Sequence, residues 1–370
     1  MAPGALLGND AFMEVDKLHG NGPNAEALVD VVIVSADMAE MTRACIAELE
    51  GPGVASIVVV DNAFDPAAGS AREELARRCT VVALDSPHGF AAANNRGVAL
   101  GKAPYVLLLN SDILIQPGAI EGLLEALGDH PGAVAAGGRL VDPETLETQS
   151  GYRPRPFPSL ANFLVIMLGL EELWPSNPIT SRYHGGEVDE SATTVVDAQP
   201  AAAALMVPRE DLQAVGGFDE RFWFWFEDSD LLLRLRSRGP ILYVPQAVFR
   251  HLGGGTFSRW SKSQRIRSVY HGILHYGAAH FSRPERALLG LTALAVSLPR
   301  VLIFGRSRPE EGSAWRAVAG GGAALVLGST LPAIAPGPTG HADDDPPVIP
   351  TPADMAPITP EMVRRANDDD

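Results

Sequence analysis

Three carboxylates stand within four positions, at Glu227, Asp228 and Asp230, directly after an aromatic run that fills positions 222–226. Aromatic neighbours exclude water and disfavour a charged carboxylate, so they raise its pKa toward the value that suits a general base. The same three residues could form the acidic first turn of a helix, where carboxylates offset the helix dipole. A catalytic base and a helix cap therefore both remain open for each of them.

Polar residues also follow two predicted strands further upstream. Asp61 and Asn62 come directly after one apolar run, and Asn110, Ser111 and Asp112 come directly after another. One such carboxylate could bond the base or ribose of a nucleotide, while the other could hold a divalent cation on a diphosphate. The alternative for each group is an Asx turn or the cap of the next helix.

Two smaller features could complete a nucleotide site. Positions 89–97 combine small residues with Asn94 and Asn95 at a predicted helix start, which allows close approach of a phosphate or ribose. His251 precedes the glycines of 253–255, and we expect a flexible loop from which it could reach a metal or a phosphate. A packed or surface histidine is the alternative.

Alternating strands and helices must position these groups. The patterns predict strands at 31–34, 57–60, 81–84 and 105–109, and helices at 38–49, 71–78, 91–100 and 117–127. This spacing predicts a mostly parallel sheet covered on both faces, with ligands at the carboxyl ends of its strands. After about residue 140 the alternation ends, and the Pro-rich insertion at 150–195 is expected to shape a substrate cleft. Further strands are expected at 201–207 and 241–245.

Composition restricts the class of protein. The 370 residues carry a net charge of −16, of which the segments 1–28 and 337–370 contribute −3 and −6. No basic motif points to nucleic acid. The chain has two cysteines, which are not spaced as the ligands of a metal site are, and we see no signal-peptide pattern. We therefore expect a reducing, cytoplasmic location. We expect a loose leader over 1–28 and a disordered acidic tail over 337–370.

Together these motifs resemble inverting glycosyltransferases of family 2, and most of all their bacterial rhamnosyltransferase-like branch, over residues 30 to about 280. The resemblance implies a GT-A fold, an α/β Rossmann-like and mostly parallel central sheet with flanking helices, in a catalytic domain at 29–256. It implies a nucleotide-diphospho-sugar donor and a divalent metal, Mg²⁺ or Mn²⁺. Asn110 replaces the first aspartate of the family's DxD motif, and the QxxRW motif of processive synthases is missing at 264–267, which favours transfer of a single sugar.

The resemblance also assigns site residues. Asp228 would be the catalytic base and Glu227 its neighbour, whereas Asp230 would be only a cap. The metal would lie on Asp112 and His251. Donor contacts are expected from Asp61, Asn62, Gly89, Phe90, Asn94, Asn95, Asn110 and Ser111. Trp223 and Trp225 could stack on the acceptor sugar or pack in the core as part of a strand.

The acceptor is predicted from the C-terminal helical region at 257–336. Basic residues at 259–267 precede two apolar stretches, 288–304 and 317–335. Proline and arginine interrupt the first stretch, the second is rich in glycine, and neither is expected to span a membrane. A protein on the inner membrane face with a polyprenyl-linked or cell-envelope glycan acceptor fits this pattern, as does an ordinary packing layer. Self-association is left open.

The donor sugar is not fixed by the sequence. Rhamnose from dTDP-rhamnose is favoured, with UDP-galactofuranose or a UDP-N-acetylhexosamine and a soluble acceptor as alternatives. A sugar nucleotidyltransferase would need a glycine-rich basic loop after the first strand, and positions 35–38 contain none. A catalytically inactive carbohydrate-binding relative is disfavoured by the intact carboxylates.

Overall fold

The structure, a computed structural model, describes residues 28–36, 39–49, 53–62, 69–84, 86, 88–184, 188–253 and 260–332. The expected disordered tail, nearly all of the leader and the glycines at 254 and 255 lie outside the described residues. The division of the chain at 256 and 336 stays a prediction.

A nine-stranded mixed sheet forms the centre of the molecule, with the order β3-β2-β1-β4-β8-β6-β9-β5 and β7 paired to β9. The strands are β1 Val29–Ser35, β2 Val54–Asp61, β3 Thr80–Ala83, β4 Tyr105–Asn110, β5 Ile113–Ile115, β6 Ala135–Val141, β7 Thr194–Val196, β8 Ala204–Pro208 and β9 Ile241–His251. The twelve helices described are α1 Ala39–Ala47, α2 Gly69–Leu75, α3 Phe90–Val98, α4 Ala119–Asp129, α5 Leu160–Met167, α6 Leu170–Leu173, α7 Pro178–His184, α8 Arg209–Ala214, α9 Glu227–Arg236, α10 Lys262–His280, α11 Arg283–Ser307 and α12 Pro309–Leu327. The predicted α/β fold with flanking helices is confirmed.

Strands β1 to β4 pair in parallel, as their apolar runs predict. In β1 every residue is buried, which is typical of a parallel strand covered by helices on both faces. The register places Ser35 beside Asp61 and Val34 beside Asn110. The two polar strand ends therefore reach the same edge of the sheet.

The second half of the sheet is mixed, and in it β6 and β9 pair in parallel. Strand β8 is antiparallel to both β4 and β6, and β5 and β7 are antiparallel to β9. Strand β6 has no apolar β-branched run, because its sequence begins Ala-Ala-Gly-Gly, and it was not predicted.

The expected flexible loop at His251 is wrong, because β9 continues to this residue. Its pairing to β6 jumps from Val244 to Val248, so Pro245, which has no N–H to donate, falls within an irregularity of the ladder. His251 is then paired beside Ile113 and is 2% exposed. The strand, and not a mobile loop, fixes the imidazole.

Helices α10, α11 and α12 pack with α5 and Phe222 in one apolar cluster. Helix α11 runs through Pro299 without a break, so the interruption predicted there is wrong. By length and composition alone, α11 is long and apolar enough to cross a membrane, with 28% of its apolar window buried. It crosses α12 closely at Gly290, where a Cβ would lie 2.5 Å from the Gly322 oxygen.

Candidate active site

A cavity of about 480 Å³ opens at the carboxyl edge of the sheet. Ten of the residues selected from the sequence line it: Asn62, Phe90, Asn110, Ser111, Asp112, Trp223, Trp225, Glu227, Asp228 and His251. Asp61, Gly89, Asn94 and Asn95 are outside this lining. The cavity thus brings together the acidic pair at the start of α9 and the polar ends of β4 and β9.

The acidic pair splits into two unlike groups. Glu227 is 6% exposed, and burial, together with the charge of Asp228, raises its pKa to about 8. Burial and this neighbouring charge thus favour the protonated form of Glu227. Asp228 is more accessible and accepts a 2.7 Å hydrogen bond from the Ser229 N–H, which orients its carboxylate in the first turn of α9. Of the two, Asp228 is the group available to accept a proton.

The segment before α9 is a strained loop and not the predicted strand. Trp225 and Phe226 both have positive φ, at 80° and 69°, a conformation that costs bulky residues of the order of 1–3 kcal/mol each. Contacts with α10 hold it in place, since Ser268 donates a 3.0 Å hydrogen bond to the Phe224 oxygen. At Gly272 a Cβ would lie 2.5 Å from the Trp225 oxygen. This loop directs the aromatic side chains and α9 toward the cavity.

Helix α3 supports that loop from the other side. Phe90 N–H donates a 2.7 Å hydrogen bond to the Trp223 oxygen, and a Cβ on Gly89 would lie 2.9 Å from the Trp223 Cα. The Asn95 amide accepts from the Phe218 N–H and donates to the Phe218 oxygen, both at 2.9 Å. In this structure Gly89 and Asn95 thus support the loop. Contacts of these two residues with a nucleotide-sugar stay predictions.

Asp61 and Asn62 also bond within the protein. The Arg72 guanidinium forms an ion pair with Asp61. The Asn62 amide bridges to the His88 backbone through hydrogen bonds of 2.8 and 2.9 Å, and both residues line the cavity. Asn94 donates its amide to the Phe90 oxygen within α3 and is buried. These bonds fix the three side chains within the protein, and their contacts with a nucleotide stay predictions.

Asp112 and His251 form the pair suited to a metal. The Asp112 Oδ2 and the His251 Nε2 are 3.4 Å apart, and both residues are buried. The His251 Nδ1 lies 2.8 Å from the Gln149 Oε1, which can accept its proton and so leave the Nε2 lone pair for a cation. No group of three His, Cys, Asp or Glu side chains forms a cluster in the described ranges. Two protein ligands suit Mg²⁺ or Mn²⁺ whose other ligands are water and substrate phosphates.

Asp230 is not a simple helix cap. It is 1% exposed, pairs with Arg234 at 2.6 Å and with His280 at 2.7 Å, and lies on the buried side of α9. Arg234 in turn donates to the oxygens of Val215 and Gly217. The network therefore ties α9 to residues 215–217, which precede the aromatic run, and to the end of α10.

Several residues that line the cavity or contact its lining were not assigned from the sequence. Gln149 also donates a 2.8 Å hydrogen bond to the His251 oxygen, so it clamps both the ring and the backbone of this histidine. The Tyr152 ring stacks edge-on to His251, with centroids 4.4 Å apart. Arg155 and Tyr183 line the cavity near α9. Only the proline-rich composition of 150–195 pointed to this region.

A family model described as glycosyl transferase family 2 matches residues 30–178, and one described as the N-terminal domain of galactosyltransferase matches residues 199–271. An N-acetylglucosaminyl-diphospho-decaprenol L-rhamnosyltransferase of Mycobacterium tuberculosis is 30% identical over 209 residues, which cover 53% of this chain and 66% of that protein. The matched part thus spans just under two thirds of that relative. Both models cover residues that line the cavity.

Two further relatives come from other bacteria. Rhamnosyltransferase WbbL of Escherichia coli is 30% identical over 167 residues, covering 43% of this chain and 58% of that protein. The O-antigen biosynthesis protein RfbC of Myxococcus xanthus is 24% identical over 221 residues, covering 57% of this chain and 16% of that protein. In each case the similarity covers part of both proteins.

Proposed function

We propose that this chain, which belongs to glycosyltransferase family 2, transfers a single sugar from a nucleotide-diphospho-sugar to an acceptor hydroxyl with inversion. One observation carries the proposal: Asp228 and the Asp112–His251 pair face the same cavity at the carboxyl edge of the sheet. The proposed activity needs a base for the acceptor hydroxyl and a place for the donor diphosphate, and this cavity offers both.

Each residue has a defined task in this proposal. Asp228 accepts the proton of the acceptor hydroxyl as its oxygen attacks the anomeric carbon, and the bond from that carbon to the diphosphate breaks on the opposite face. Such base assistance is worth about 10²–10⁴ in rate. Asp112 and His251 would hold a divalent ion, which supplies charge neutralisation of the departing diphosphate. Trp223 and Trp225 also line the cavity, where they would contact the acceptor sugar.

The donor can be found by direct assay. The full chain would be incubated with dTDP-rhamnose, UDP-galactofuranose, UDP-N-acetylglucosamine or GDP-mannose, with Mn²⁺ or with EDTA, and the released nucleoside diphosphate measured. We expect metal-dependent release from one donor, and dTDP-rhamnose is favoured because two relatives are named rhamnosyltransferases. Absence of both release and a thermal shift with all four donors would argue against the proposed activity.

A lipid-linked acceptor on the inner membrane face is the second part of the proposal. One side of α11 exposes an apolar stripe that contains Leu288, Leu291, Leu298, Leu302 and Ile303. Residues 260–332 carry nine Lys and Arg against three Glu, a net charge of +6 in a chain of −16. Apolar side chains flanked by basic ones favour the surface of an anionic bilayer. The mycobacterial relative is also named for a substrate in which N-acetylglucosamine is linked to decaprenol through a diphosphate.

Binding to vesicles tests this surface. The double variant Leu298→Glu with Leu302→Glu should lower the partition coefficient onto phosphatidylglycerol vesicles more than about 100-fold, because transfer of each exposed leucine into a bilayer contributes about 1.5–3 kcal/mol. Leu100→Glu, at an equally exposed leucine outside the C-terminal helices, is the control. A lipid-independent dimer that the double variant dissociates would instead assign the stripe to a second copy of the chain.

A further inference from the structure

Arg155 lines the cavity but has no role in the proposed reaction so far. Among the described residues no carboxylate pairs with its side chain. Arg153, two positions earlier, behaves differently, because its guanidinium lies 3.2 Å from the Glu190 carboxylate. His184, which also lines the cavity, already has Glu171 at 3.4 Å. Arg155 is therefore a cation kept in an otherwise acidic cavity.

The backbone of Arg155 is fixed relative to the proposed base. Arg155 and Gln199 exchange backbone hydrogen bonds of 3.1 and 2.8 Å, and the Gln199 side chain donates a 3.0 Å bond to the Pro156 oxygen. The other end of the Gln199 amide accepts a hydrogen bond from the Ser229 hydroxyl, next to Asp228. Gln199 is 2% exposed, so this connection is buried. Arg155 thus has a set position beside the first turn of α9.

Two tyrosines show which groups surround this guanidinium. The Arg155 Cζ lies 5.4 Å from the centre of the Tyr183 ring. Burial raises the pKa of Tyr183, Arg155 opposes this, and Asp228 adds to it. The Tyr152 ring packs edge-on against His251 and lines the same cavity. Arg155 therefore shares its cavity with both carboxylates, Asp112 and Asp228.

We propose that Arg155 binds a diphosphate group in the cavity that it shares with the Asp112–His251 pair and Asp228. The proposal rests on the proposed function, in which the donor carries a diphosphate and a lipid-linked acceptor carries another. A diphosphate entering a cavity lined by Asp112, Asp228 and Glu171 meets repulsion that a cation must offset. A guanidinium is suited to this task because its planar N–H groups bind phosphate oxygens in pairs.

Substitution of Arg155 tests the proposal. Arg155→Ala and Arg155→Lys would be compared with Arg153→Ala, which removes a charge from the same segment outside the cavity lining. Titration with dTDP, UDP and inorganic pyrophosphate in the presence of Mn²⁺ gives diphosphate affinity. The KM for a short-chain N-acetylglucosaminyl-diphospho-polyprenol gives acceptor recognition. Loss of a charge-assisted pair predicts a roughly tenfold to 100-fold weakening in Arg155→Ala, a smaller one in Arg155→Lys, and less than twofold in the control.

The two assays separate the possible sources of the diphosphate. Weaker nucleotide binding with an unchanged acceptor KM identifies the donor diphosphate, and the reverse identifies the acceptor diphosphate. The proposal is overturned if the wild-type chain transfers sugar but the three variants, Arg155→Ala, Arg155→Lys and Arg153→Ala, show the same nucleotide affinity and the same acceptor KM. Failure of the wild-type chain to release nucleoside diphosphate from any donor would instead refute the proposed function. Melting temperatures of the variants establish that each is folded.

Discussion

Replacing Asp228 with asparagine is expected to lower the rate of sugar transfer by about 10²–10⁴, a barrier increase of roughly 3–5 kcal/mol. Asparagine keeps the shape of the side chain and can still accept from the Ser229 N–H, but it cannot take the acceptor proton. Donor binding should change little, because the donor diphosphate is assigned to the ion on Asp112 and His251 and not to Asp228. Transfer rates and donor affinity by calorimetry measure the two effects separately.

Asp197 provides the matched control for this variant. It pairs with Arg236 on the same helix α9 but lies outside the lining of the cavity. Asp197→Asn should therefore transfer sugar at close to the wild-type rate. The assignment of Asp228 fails if Asp228→Asn turns over normally, or if its loss is matched by a similar loss in Asp197→Asn.

The second large effect is expected from Asp112→Asn. Removing the carboxylate takes away the charged protein ligand of the proposed ion, so Mn²⁺ binding in the presence of nucleoside diphosphate should weaken more than about 100-fold. Transfer should fall with it, and excess Mn²⁺ should restore part of the rate. Electron paramagnetic resonance of free Mn²⁺ gives the affinity without relying on turnover.

Variants of Gln149 and Asp129 provide an intermediate effect and a control for that measurement. Gln149→Leu leaves both ligands present but removes the acceptor that positions the His251 ring, so it should weaken Mn²⁺ binding about 10–100-fold. Asp129→Asn, at an exposed position near the end of α4, should change nothing. Unaltered Mn²⁺ affinity in Asp112→Asn would show that this carboxylate is not a ligand.

The parallel half of the sheet could be predicted because each of its strands is marked by a short apolar run in the sequence itself. Runs such as 31–34 and 105–109 are apolar enough to require burial on both faces, and helical patterns lie between them. Since parallel strands end at one edge, the placement of Asp61 and Asn110 on that edge followed from the pattern alone. The acidic pair at the start of α9 was identified in the same way.

The second half depends on contacts distant in sequence. In β6, Gly137 packs where a Cβ would lie 2.3 Å from the Pro200 side chain, and no local pattern marks this strand. Asn95 meets Phe218 from 123 positions away, and Gln149 meets His251 from 102 positions away. Residues so far apart in the sequence come into contact only in the folded sheet, so no local pattern predicts them. For this reason the sequence identified chemical groups but missed the residues that hold them in position.

The most direct measurement of the central assignment is the stimulation of nucleoside diphosphate release by the acceptor, compared between the wild-type chain and Asp228→Asn with the same donor and Mn²⁺. The proposed role of Asp228 predicts strong stimulation in the wild-type chain and almost none in the variant, with slow release in the absence of acceptor similar in both. Equal stimulation in the two proteins would contradict the assignment of Asp228 as the base that activates the acceptor hydroxyl.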